Sequence, residues 1–177
     1  RSIPTSQLPL DPAPSGSGTY TCRDVKLGAV IVDTVHVPAG ASCALEGTRL
    51  IGTAEVDRGA FLEAVSVDIN GKVQGQGAGH VSVTGRSIVG GSIQLEQGES
   101  ATVRGVTVIG NIQLTDNRGA LVVEQNLVEG NIQIRQNRGG VTVNANRSTS
   151  LECEANQPAP IGGGNVASDK SDQCRNL

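Results

Sequence analysis

Val106-Thr-Val-Ile-Gly-Asn-Ile-Gln-Leu-Thr-Asp-Asn-Arg-Gly-Ala-Leu-Val-Val-Glu-Gln125 is followed at once by Asn126-Leu-Val-Glu-Gly-Asn-Ile-Gln-Ile-Arg-Gln-Asn-Arg-Gly-Gly-Val-Thr-Val-Asn-Ala145. The second run repeats the first at a constant offset: Gly110-Asn-Ile-Gln113 returns as Gly130-Asn-Ile-Gln133, and Asn117-Arg-Gly119 as Asn137-Arg-Gly139. Self-similarity at a fixed period is the signature of a stacked-repeat fold. Within each repeat the apolar residues alternate with polar ones, as in Ile112-Gln-Leu114, Ile132-Gln-Ile134 and Val141-Thr-Val143. A period of two means strand, and the glycines and asparagines between the runs mark turns. Helical repeats need apolar spacings of three and four and tolerate few glycines.

Three short strands in about 20 residues make one coil of a β-helix, with neighbouring coils about 4.8 Å apart. The phase extends upstream through Ser92-Ile-Gln-Leu95 and Lys72-Val-Gln-Gly75, and downstream through Ser150-Leu-Glu-Cys153 and Lys170-Ser-Asp-Gln-Cys174. The chain is therefore expected to be all-β, a right-handed parallel β-helix of about 20 residues per coil and about 7 coils. Ile93, Leu95, Ile112, Leu114, Ile132 and Ile134 should form its core.

Composition agrees with a thin solenoid. Of 177 residues, 37% are hydrophobic and 24 are glycine; there is one Tyr and one Phe, and no Met or Trp. A narrow stack of Val, Ile, Leu and Ala needs no aromatic bulk, whereas a sandwich of this length normally uses it. The net charge of −3 is made of mixed signs, with no basic run and no stacking set for nucleic acid. No stretch is long and apolar enough to span a bilayer.

Residues 1–21 differ from the rest. Pro4, Pro9, Pro12 and Pro14 precede Ser15-Gly-Ser-Gly18, which reads as an extended arm. The start at Arg1 looks processed, as after removal of a signal peptide. Residues 22–177 are then the solenoid domain. The four cysteines fall in two pairs, Cys22 with Cys43 and Cys153 with Cys174, each 21 apart and so about one coil apart. That spacing places Cα atoms within reach of a disulfide, one bridge at each end of the stack. Terminal coils have a neighbour on one side only, and a bridge there opposes fraying. Paired bridges imply an oxidising compartment, hence secretion or the cell surface. CxxC spacing and clustered histidines are both missing, so no metal or other cofactor is expected.

The sequence carries no catalytic constellation. Glycoside hydrolysis needs two facing carboxylates, but the acids scatter over several faces. Arg118 and Arg138 stack one coil apart without a cage of acids, and His36 and His80 lie in different coils. A polysaccharide-active, pectate-lyase-like enzyme is thus the least favoured reading. The polar ladders carry more. Gln94, Gln113 and Gln133 share one slot, continued by Glu152 and Gln173. Asn117 and Asn137 share another with Asn156, and Asn126 and Asn146 a third with Asn165. Stacked amides hydrogen-bond along the axis, and asparagine suits turns by accepting left-handed backbone angles. A flat ligand-binding face, for sugar or ice, is the functional version of the same rows, although Thr107, Thr115 and Thr142 do not form the regular Thr-x-Thr array that ice favours. Asn146-Arg-Ser148 is also a glycosylation sequon, in a slot that the turn already explains.

Val37-Pro-Ala-Gly-Ala-Ser-Cys-Ala-Leu-Glu-Gly-Thr48, the repeated Gly-Asn-Ile-Gln and the closing Gly162-Gly-Gly-Asn165 and Asp172-Gln-Cys174 together resemble a group of secreted proteins of actinobacteria and related soil bacteria. The resemblance covers most of residues 22–174. It implies a right-handed parallel β-helix and export, and brings no catalytic residues. Bactofilins, cytoplasmic β-helical polymers, are a second analogy that the cysteine pairs oppose. No capping helix is visible at the amino end, and an open solenoid edge pairs with other chains. The expected role is therefore a non-catalytic extracellular structural protein that polymerises with itself, head to tail, through its open ends and arm. The alternative is a monomeric cell-surface adhesin or spacer that binds envelope polysaccharide.

Overall fold

The computed structural model describes residues 4–12 and 18–177. Residues 1–3 and 13–17 of the expected arm lie outside the described residues. Within them the chain is a parallel β-solenoid of about eight turns, each built from three strands that pair with the equivalent strands one turn on. The extra turn over the seven expected comes from the ends, where the apolar alternation is weak but the backbone still pairs.

A long face stacks nine strands, among them Ser42–Glu46, Phe61–Val65, His80–Thr84, Ser100–Arg104, Leu121–Glu124 and Val141–Asn144. A narrow face stacks two-residue strands from Ile31–Val32 through Ile88–Val89 to Leu127–Val128. The third face holds Ala54–Val56, Val73–Gln76, Ile93–Glu96, Ile112–Thr115 and Asn131–Arg135, and is called the amide face below. Arg147–Glu154 runs unbroken through the narrow and amide faces, which joins them into one sheet.

The turn length drifts along the axis. Val25 pairs with Cys43, 18 places on; Ser42 with Phe61, 19 on; and His80 with Ser100, 20 on. The register survives because corners absorb the difference while the alternation of each strand is kept. Ile93, Ile112, Ile132 and Leu151 fall in one buried column, and Leu95, Leu114, Ile134 and Cys153 in the next. Gly75 takes the slot before Leu95 in that second column.

Two corners of each regular turn hold a residue in the left-handed region. One series is Ser66, Gln125 and Ala145, and the other Gln97, Asp116, Gln136 and Ala155, with φ between 53° and 57° in all but Gln136, at 58°. The residue after each faces inward. It is small or aliphatic early in the chain (Val67, Gly98) and asparagine later on. The asparagines are therefore not the left-handed residues. They occupy the buried position next to one, where a side-chain amide can replace the backbone partners that a tight corner forfeits.

The Arg-Gly repeats have a different cause. A Cβ on Gly139 would sit 2.2 Å from the carbonyl oxygen of Gly119, so the chain passes itself too closely there for any side chain. Gly163, in the last strand of the long face, has nothing within 4 Å of its would-be Cβ. Gly139→Ala is expected to lower stability by about 2 kcal/mol, and Gly163→Ala to leave it nearly unchanged. Thermal unfolding of the two variants checks this; equal midpoints would show that the close approach is absent.

Candidate functional site

Cys22 bonds to Cys43 with a Cα separation of 5.6 Å, and Cys153 to Cys174 with one of 5.3 Å. Neither pair is strictly in register. The partner of Cys43 across the long face is Val25, and that of Cys153 across the amide face is Asp172. Cys22 lies in the corner before Val25, and Cys174 in the turn after Asp172. The end turns are shorter than the spacing of the cysteines, so each bridge ties a core strand to a corner. All four cysteines are fully buried.

At the amino end the arm adds a strand to one face. Leu10–Asp11 pairs in parallel with Lys26 and Leu27 and so becomes the edge strand of the long face. Leu8 is buried, the amide of Lys26 donates to Pro9 O at 2.8 Å, and the hydroxyl of Thr5 donates to Glu63. Thr19–Thr21, within the stretch assigned to the arm, pairs with Thr34–His36 as the first strand of the amide face. The hydroxyl of Tyr20 donates to Asp11 Oδ2 at 2.7 Å. Burial first, then this bond and the charge of Asp11, push its phenol up to about 12.

At the carboxyl end the terminal turn folds across the core. Leu177 packs on the core, and its carbonyl accepts from Lys170 Nζ at 2.9 Å. Gln173 does not continue the glutamine row; Ser171 pairs with Glu152. Its side-chain oxygen instead accepts from the backbone and side-chain amides of Asn156, at 2.9 and 3.0 Å. Gln173 thereby completes a buried ladder.

That ladder runs Asn117, Asn137, Asn156, Gln173. Each asparagine Oδ1 after the first accepts the backbone and side-chain N–H of the one before it, as Asn137 does from Asn117 at 2.9 and 3.0 Å. Each Nδ2 also donates to a carbonyl one turn back, as Asn137 does to Leu114 O. Asn126, Asn146 and Asn165 form a second ladder of the same design. All six asparagines are at most 6% exposed, so both ladders are structural. Asn146 is 2% exposed and donates to Val123 O and Asn165 Oδ1. The sequon therefore lies inside the folded chain, where a glycan has no room.

The glutamine row is the outward counterpart. Gln94 donates to Gln113 at 2.8 Å, and Gln113 to Gln133 at 3.0 Å. The row is flanked at the next corner by Arg58, Arg118 and Arg138, which line an open groove of about 390 Å³ with Gln97 and Asp116. Arg118 is paired with Glu99 at 3.0 Å. The stacked arginines that spacing suggested are thus brought together, with Arg58 added from an earlier turn. Sequence alone did not show this. Arg58 lies over Gly77, its Cγ 3.5 Å from where a Cβ would stand, and the missing side chain leaves it room to reach the later turns.

The histidines stay apart. His36 meets Asp57 at 2.7 Å on the amide face, and His80 meets Ser100 Oγ at 2.7 Å on the long face. Burial lowers the His80 pKa, partly offset by Glu63, which already accepts from Thr5. Among the described residues no group of three or more His, Cys, Asp or Glu is placed to hold a metal ion. No family model, curated protein or solved structure matches this chain.

Asn137→Ala removes the acceptor of two buried N–H groups and the donor to Leu114 O. It is expected to cost about 2 to 3 kcal/mol, measurable by denaturant unfolding; a loss under about 0.5 kcal/mol would mean the ladder is dispensable. Tyr20 is the only tyrosine, so tyrosinate absorbance reports it alone. Its raised pKa contributes stability that is full below the ordinary value near 10 and lost as pH rises through about 12. The native midpoint should lie near 12 and fall towards 10 on unfolding; a native midpoint of 10 would place the phenol in open solvent.

Proposed function

We propose that this protein is a non-catalytic extracellular structural element, a short stiff rod that meets other molecules through its sides. The observation that carries the reading is the two-residue edge strand Leu10–Asp11 at the amino side of the long face, since so short an edge offers few backbone groups for another chain to pair with. Beside it, Leu177 of the turn after Asp172 packs on the core, and a disulfide clamps each terminal region. Head-to-tail growth into a filament would have to build the long face onto this two-residue strand. Extracellular placement is supported by the two bridges, which persist in oxidising compartments. Among the described residues no helix is long and apolar enough to cross a membrane.

Envelope polysaccharide is the second reading for what the sides meet, favoured by the outward amide row beside three arginines. Guanidinium groups pair well with carboxylate or sulfate, so an acidic glycan is the class that fits the groove.

Removing residues 1–12 separates rod from filament. The truncated protein is expected to keep its particle size while hydrogen exchange rises in Val25–Leu27 and Ser42–Glu46, the strands nearest the lost edge. Negative-stain images of the intact protein should show rods of one molecule's length. Long strings that fall apart on truncation would contradict the reading.

A further inference from the structure

The narrow face carries an outward row that the proposed role leaves unexplained. In register, Ile31 stacks on Arg49, Asp68 and Ile88. The row continues through Thr107, Leu127, Arg147 and Val166. A second row beside it includes Ile51 and Ile109, each placed one turn on by a backbone bond, to Val32 O and Val89 O. Among the described residues eight large aliphatic side chains are exposed, and six of them are these: Ile31, Ile51, Ile88, Ile109, Leu127 and Val166. Singly exposed aliphatics are ordinary, but six gathered on one face, interspersed with the charged Arg49, Asp68 and Arg147, mark an interaction surface. The outward row of the amide face is polar over the same turns.

We propose that two copies of this chain pair side by side and antiparallel through their narrow faces, about a two-fold axis at Thr107. Both copies have the same spacing between turns, about 4.8 Å, so every rung of one can meet a rung of the other. In an isologous pair, residue i meets j where j meets i. Centring the axis on Thr107 sets Asp68 opposite Arg147 twice and Ile88 opposite Leu127 twice, and brings Ile109 onto its own copy. Shifting the axis half a rung towards Ile88 sets Arg49 against Arg147, like against like. An axis between Arg49 and Asp68 also meets opposite charges but overlaps only half the stripe. A parallel pair turns one row onto the other and brings no opposite charges together. The register at Thr107 thus combines long overlap with charge complementarity, which selects alignment more than it adds affinity. The stripe is two residues wide, so the pair belongs with small, weak interfaces.

The rows are exposed, so their variants are expected to fold; circular dichroism and thermal midpoints check that. Sedimentation equilibrium on the full chain over a concentration series reads the pairing. The unmodified protein should reach a dimer. Ile88→Asp should return it to monomer. Asp68→Arg alone and Arg147→Asp alone should each weaken it about tenfold, since each change enters the dimer twice. The double exchange Asp68→Arg with Arg147→Asp should restore it. Failure of the double exchange to restore a dimer that both single changes weaken would overturn the register. A monomer at every concentration would overturn the pairing while leaving the proposed rod intact, and end-to-end strings indifferent to these changes would overturn both.

Discussion

The backbone hydrogen bond from one turn to the next is the interaction on which everything else in this molecule rests. A parallel strand pair repeats it evenly, and about eight turns of three strands repeat it along the whole rod. Nothing in a single turn buries enough apolar surface to stand alone; stacking turns one aliphatic column into a continuous core. The bond tolerates turns of unequal length only because the corners take up the difference. What looks like sequence irregularity is confined to those corners.

The asparagine ladders show how the corners satisfy their polar groups. A left-handed residue such as Gln136 swings the next side chain inward, and the backbone N–H groups there lose strand partners. Asn137 supplies an acceptor to the turn before and finds one in the turn after. The design works only if the series ends properly, and Gln173 ends one of them. In the earlier turns the same position holds Ala78 or Gly98, with no amide to offer. The carboxyl half is thus held by buried amides, while in the amino half the buried hydroxyls of Thr48 and Ser87 bond the corner backbone instead.

The repeat from Val106 to Ala145 made the fold and the core column legible, because alternation and period are direct consequences of strand geometry. The pairing of the cysteines was legible for the same reason, although their place relative to the strands was not. A count of residues between cysteines cannot tell a strand position from a corner when turns vary in length, and this misplaced Cys22 and Cys174 alike. It also hid the departure of Gln173 from the glutamine row. The docking of Leu10–Asp11 on Lys26 and Leu27 was illegible, since two residues in a Pro-rich stretch carry no period. The lateral surfaces differ from one another: an amide row beside arginines on one side, and exposed aliphatic side chains on the narrow face.

The register between turns is tested most directly by peptide mapping of the unreduced native protein. Peptides joining Cys22 to Cys43 and Cys153 to Cys174, with no free thiol, are the predicted result. A link between Cys43 and Cys153, which lie at opposite ends of the rod, or four free thiols in freshly purified native protein, would contradict it.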